Sequence, residues 1–314
     1  MKLDSTIIIK DMGLLLSQNA EVRAHYFAIM RGAFDGHYAH QFGSMKQPRD
    51  YTDIYFTQIA CSTEVIEAPE FQQSRLGERF LTLRIFKNAP IDQMATKKAM
   101  EESEGTELPD YFKKKIVSFL NQDLTVMPAM PIQIKNQIAL LAEACAPLRR
   151  EVKWSGYSFA RDIDYIPSTE RPNRLAQQLG HHAKYLAKVL NKKIVDEDIY
   201  NRIVRYAYDS CIPDYLLIVE RISRQSIFRN FITLFPYKTD KTEELCRSLE
   251  VNNVLVKIAD RKKKGHQKSE NVLAGYALNS KWESLYKASL RLSGRRKLVL
   301  KGKSKLRVKK RVDG

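Results

Sequence analysis

The feature that most constrains this chain is a change of hydrophobic period near residue 86. Before it, short β-branched runs alternate with helical segments; after it, apolar residues recur almost only at helical spacing. Thr6 to Ile9 is a β-branched run ending in Lys10-Asp11, which reads as a buried strand leading into a loop. Val22, Tyr26, Met30 and Ala33 recur at helical spacing between Asn19 and Phe34, and Asp35-Gly36 supplies the turn that closes the helix. Ile54 to Cys61 reads as a second strand. Residues 70–76 read as a short helix broken by Gly77, and Phe80 to Phe86 as a third strand with apolar alternation. That order, strand, helix, strand, helix, strand, predicts a parallel α/β sheet.

Helices are expected near residues 90–103, 108–122, 131–146, 172–190 and 196–210. The clearest carries Leu175, Leu179, Ala183, Leu186 and Leu190 on one stripe, with Pro172 in the first turn, where a missing N–H is tolerated. Residues 213–287 offer shorter helical segments, a strand-like Gly275 to Leu278, and a basic loop, Arg261-Lys262-Lys263-Lys264-Gly265. Helices, a basic loop and a closing strand together read as a loose winged helix. The fold class is therefore α/β followed by all-α.

Charge narrows the choice of partner. Lys plus Arg number 53 against 36 Asp plus Glu, a net charge of +17, while 44% of the residues are hydrophobic and exclude wholesale disorder. Residues 291–314 hold eleven Lys or Arg against Asp313, so this tail reads as disordered when unbound and suited to a polyanion. Arg295, Arg296 and Lys297 in the tail and Arg261, Lys262, Lys263 and Lys264 in the loop are candidate nucleic-acid contacts, with DNA the favoured partner. Cys61, Cys145, Cys211 and Cys246 lie far apart without a CxxC pair, which argues against a disulfide framework or zinc ribbon and fits a reducing cytoplasm. No charge-free run approaches the roughly 18 residues of a membrane span, so no membrane partner is expected. His37, His40, His181 and His182 lack the cysteine or carboxylate company of a metal site.

Taken in order, several of these stretches resemble the ATPase core of AAA+ proteins, closest to minichromosome-maintenance-type helicases and their phage or plasmid relatives. Ile7-Ile8-Ile9-Lys10-Asp11 is similar to a Walker B strand, where apolar residues deliver acids to Mg²⁺ and to the attacking water. Two consecutive acids are usual in the family. Here Asp11 stands alone after Lys10, in the place of either the magnesium-side acid or the catalytic glutamate. Thr63, just past the second strand, resembles sensor 1, a small polar group that contacts the γ-phosphate or the water. Leu76-Gly77-Glu78-Arg79-Phe80 resembles the motif whose arginine reaches into the neighbouring subunit's nucleotide, a task suited to a permanently charged planar guanidinium. Glu170-Arg171-Pro172-Asn173-Arg174-Leu175 resembles sensor 2, with Arg174 in the arginine position and Arg171 as its competitor. Residues 37–50 fall where helicase relatives carry a DNA-contacting hairpin, a resemblance that implies Lys46 and Arg49 as further DNA contacts.

The resemblance runs from residue 6 to about residue 210 and lacks one part. No GxxxxGKS or GxxxxGKT phosphate loop is present, and Gly302-Lys303-Ser304 is a decoy within the basic tail, with Lys297 where the first glycine belongs. The implied organisation is a partial AAA+ P-loop-type core at 1–88, a helical lid at 89–211, a winged-helix-like module at 212–290 and a basic tail at 291–314. The implied function is a DNA-associated, helicase-like ATPase subunit that uses ATP and Mg²⁺ once a P-loop-bearing polypeptide or a homo-oligomeric ring completes it. The alternative is a non-enzymatic DNA-binding protein derived from the same fold. In either case an incomplete parallel sheet is expected to leave an apolar face exposed.

Overall fold

The computed structural model describes residues 5–40, 49–52, 56–63, 66, 80–85, 110–121, 126–155, 162–166, 171–223, 239–261 and 271–289. The fold is mixed α/β and mostly helical. The expected helices at 70–76 and 90–103, and the basic tail, lie outside the described residues.

The first part contains β1 (Ser5–Ile9), α1 (Gly13–Leu16), α2 (Ala20–Asp35), β2 (His37–His40), β3 (Arg49–Thr52) and β4 (Phe56–Ala60). β1 and β4 pair in parallel, from Ser5 opposite Phe56 to Ile9 opposite Ala60. Local chemistry sets the bounds of α2: the Asn19 side chain accepts from the Val22 amide at 2.9 Å, and Gly36 ends the helix at φ 78, a left-handed conformation that glycine adopts without penalty. Gln58 on β4 donates to the Tyr26 hydroxyl at 2.9 Å, which ties the sheet to α2. Met12, Leu16 and Phe27 form a small core beneath, joined by Ile9, Leu15, Tyr26 and Ile66.

Two expectations fail here. β1 is not a buried strand: Ile8 is 65% exposed and its neighbour across the pair, Ile59, 52%. α2 covers one face of the pair, and among the described residues no second layer covers the other, where a parallel sheet ordinarily has one. Residues 80–85 also form no strand. Leu83 and Ile85 of that alternating run point outward, 42% and 83% exposed, because the backbone is bonded to side chains of a helix rather than to a strand.

The helical body contains α3 (Asp110–Leu120), α4 (Ile132–Arg149), α5 (Pro172–Val189), α6 (Glu197–Asp209), α7 (Pro213–Ser223), α8 (Thr239–Val251) and α9 (Ser280–Ser289). One continuous core links α4 to α9. Leu175, Leu179 and Ala183 are fully buried, as the stripe predicts, but the stripe continues through Ala187 and leaves Leu190 exposed past the helix end. Polar ties lock the layers. Trp282 donates to the Ala144 carbonyl at 3.0 Å, and the Tyr200 hydroxyl donates to the Ser289 carbonyl at 2.6 Å. Two antiparallel hairpins complete the body: β5 (Lys153–Ser155) with β6 (Asp162–Tyr165), and β7 (Leu255–Arg261) with β8 (Asn271–Leu278).

Candidate functional site

The strand-end residues singled out in the sequence come together at one end of the parallel pair. The Cys61 amide donates to the Ile9 carbonyl at 2.9 Å, and the Met12 amide donates to the Cys61 carbonyl at 2.8 Å. These bonds extend the pairing past both strands and set Asp11 beside Ser62 and Thr63 at the C-terminal edge, where open α/β sheets bind ligands. Asp11 is exposed, and its Oδ1 accepts from the Gly13 amide at 2.8 Å, so one carboxylate oxygen caps the start of α1. A β-carbon on Gly13 would lie 2.9 Å from that oxygen, so glycine there preserves the carboxylate position. Thr63 is exposed, and its carbonyl accepts from the Ile66 amide at 3.3 Å.

Ser62 is a residue that sequence reasoning passed over. Its Oγ is buried without a hydrogen-bond partner among the described residues, a costly state for a hydroxyl. The only local signal was a second small polar residue beside Thr63. Of Asp11, Ser62 and Thr63, the first and last are exposed at this strand end, while the Ser62 hydroxyl is buried. Among the described residues no group of three His, Cys, Asp or Glu side chains is placed to hold a metal ion. Asp11 is the single carboxylate of the described residues at this strand end, and its Oδ1 is already engaged by the Gly13 amide.

Arg174 stands apart from this trio. It lies in the first turn of α5, and its guanidinium Cζ is 5.9 Å from the ring centroid of Phe34, in the last turn of α2. The 16 residues of α2 rise about 24 Å, so Phe34 is a helix length from Asn19, which follows the strand-end loop and α1. Arg171 is the N-cap residue of α5 and makes no side-chain capping bond. Arg79 lies outside the described residues.

Two hairpins carry the basic candidates. β2 and β3 pair from His37 opposite Thr52 to His40 opposite Arg49, so residues 41–48, which include Lys46 and lie outside the described residues, connect them. The hairpin folds tightly back on α2: a β-carbon on Gly32 would meet the His37 carbonyl oxygen at 2.8 Å and Tyr38 at 2.9 Å. His37 Nε2 lies 2.6 Å from Asp50 Oδ1 on an exposed surface. β7 and β8 pair out to Arg261 opposite Asn271, framing the loop that carries Lys262, Lys263 and Lys264. Those three lysines, and Arg295, Arg296 and Lys297, lie outside the described residues. Lys257 on β7 pairs with Glu250 at 2.9 Å and so braces the hairpin against α8. Among the described residues no helix is long and apolar enough to cross a membrane. No protein-family model matches the chain, and no curated protein matches its sequence.

Proposed function

We propose that the chain is a DNA-associated ATPase subunit of AAA+ helicase type, lacking a P-loop of its own and completed by a P-loop-bearing partner. The observation that carries this reading is the parallel pairing of β1 with β4, which gathers Asp11, Ser62 and Thr63 at one strand end. In this reading Asp11 and Thr63, both exposed, would face Mg²⁺-ATP, whose phosphates the partner's loop would cradle; the bound metal would neutralise charge at the transferred phosphoryl group. Arg79 serves a neighbouring subunit's nucleotide and Arg174 the lid. The uncovered face at Ile8 and Ile59 is where a completing α/β layer belongs. A hairpin at 37–52, and a second framing a lysine-rich loop, give DNA two basic contact points, read through phosphates rather than bases.

A second reading, a DNA-binding protein of this fold without ATPase activity, is favoured by Lys10 beside a single acid and by the Asp11 oxygen already engaged at Gly13. Nucleotide binding and ATP turnover separate the two, measured on the chain alone and mixed with a candidate P-loop protein, with and without duplex DNA. Turnover only in the mixture, abolished by Asp11→Ala, is the expected result. Salt-sensitive DNA binding with no nucleotide binding in any mixture would establish the second reading.

A further inference from the structure

Residues 80–85 follow Arg79 directly and are gripped by the C-terminal end of α6. The Thr82 amide donates to Ser210 Oγ at 2.8 Å, and the Arg84 amide donates to Asp209 Oδ2 at 3.1 Å. The Arg84 guanidinium donates to the Asp209 carbonyl, and Arg205 returns a bond to the Arg84 carbonyl at 3.0 Å. At the front of the segment Arg149 donates to the Phe80 carbonyl at 3.1 Å. These groups are more than 60 residues apart in sequence, so each bond is a tertiary tie. Apolar anchoring is slight by comparison: Leu81 packs on the main core while Leu83 and Ile85 face outward. A segment held by polar bonds at its backbone, with one leucine inside, has little buried apolar surface to lose and sits at the low end of local stability.

We infer that Asp209, Ser210 and Arg205 form a releasable clasp on residues 80–85, and that opening it alters how Arg79, next in sequence, serves a neighbouring subunit. α6 packs on α5, which carries Arg174 in its first turn, so the clasp and the lid arginine sit on two helices that are packed together. The consequence for Arg79 rests on the ATPase reading; the clasp itself does not. Asp209, Ser210 and Arg205 are positioning residues, acting through the backbone of residues 82–84.

Hydrogen exchange of the full chain tests the clasp. In the wild type, peptides covering 80–85 are expected to exchange more slowly than an unprotected chain yet faster than α4 and α5. The double variant Asp209→Ala/Ser210→Ala should speed exchange there by about tenfold or more, with α4 and α5 unchanged. If that variant loses protection throughout, Arg205→Ala, a change at an exposed side chain, carries the test and should speed exchange at 80–85 alone. Wild-type exchange at 80–85 at free-chain rates, release only together with the core, or unchanged exchange in the variants that remain folded would overturn the clasp. Failure of the ATPase reading shows separately, as absent nucleotide binding with this exchange pattern intact.

Discussion

Gly32 shows how one residue couples a helix to the hairpin that follows it. In the interior of α2 glycine is a poor helix former, and Ala would gain about 1 kcal/mol from propensity alone. The His37 carbonyl at 2.8 Å from the missing β-carbon is backbone and cannot swing aside. Gly32→Ala is therefore expected to destabilise the first part of the chain by about 1–3 kcal/mol despite its better propensity, read as lost protection in 37–52 by hydrogen exchange. Asn252 plays a comparable part in the body. Its Oδ1 accepts from the buried Arg150 Nε at 2.6 Å, while its Nδ2 donates to the Pro147 and Arg150 carbonyls, each at 2.9 Å. Asn252→Ala removes one bond from the buried Arg150 guanidinium, which keeps the Val251 carbonyl at 3.0 Å, and unpairs two carbonyls from Nδ2, and should cost about 2 kcal/mol in urea unfolding. Asn252→Asp, which keeps the acceptor but loses both donors, should fall between the two. A loss below about 0.5 kcal/mol for the alanine variant would show that Arg150 finds other partners.

At the level of elements, caps and buried acids give opposite pH signatures. Asp196 caps α6, accepting from the Ile199 amide at 3.0 Å, and the bond from Lys192 is the largest cause holding its carboxyl below the usual range. A lowered folded-state pKa means the stabilisation is present above the unfolded value and lost as pH falls through the folded one. Asp196→Ala should cost about 1 kcal/mol at pH 7, mostly from the lost cap, with the gap closing in acid; the exposed Lys192 partner adds little. Glu151, after the end of α4, runs the other way. Burial pushes its carboxyl up and its Oε2 has no hydrogen-bond partner among the described residues, so its stabilising contribution is present below the unfolded pKa and lost as pH rises through the folded one. Glu151→Gln should raise the urea midpoint at pH 7 relative to wild type, and the difference should shrink at pH 4. The elements themselves were legible where local chemistry bounds them: Asn19 and Gly36 for α2, and Pro172 with the leucine stripe for α5. β5 and β6 were not, because neither carries a β-branched run. That hairpin is held from afar, by Trp154 donating to Ser248 at 3.0 Å and by Arg247 stacked 4.7 Å from the indole. Phe80 to Phe86 failed for the same physical reason in reverse: a strand-like alternation whose backbone partners turned out to be Asp209 and Ser210.

For the whole molecule, the sequence placed Asp11 and Thr63 at strand ends, but that both ends lie at the same edge depends on a parallel pairing across 50 residues that periodicity cannot display. Ser62 stayed hidden because its significance is its buried, unbonded hydroxyl, a property of packing. The same pairing leaves the molecule asymmetric. One face of β1 and β4 meets α2 through Gln58 and Tyr26, and the other presents Ile8 beside Ile59, whereas the large core of the body is continuous and contains neither residue. Exposed β-branched residues on a two-stranded parallel sheet are an association surface unless something covers them. The chain alone is therefore expected to associate in a concentration-dependent way in sedimentation velocity and to bind an apolar dye. Ile8→Glu/Ile59→Glu should suppress both while leaving the urea midpoint of the helical body within about 0.5 kcal/mol of wild type, since the substitutions lie outside its core. The double variant should also lose capture of the P-loop partner. A wild-type chain that stays monomeric at every concentration, binds no dye and matches the variant would mean the sheet needs no completing layer, and the two-chain ATPase would fall with it.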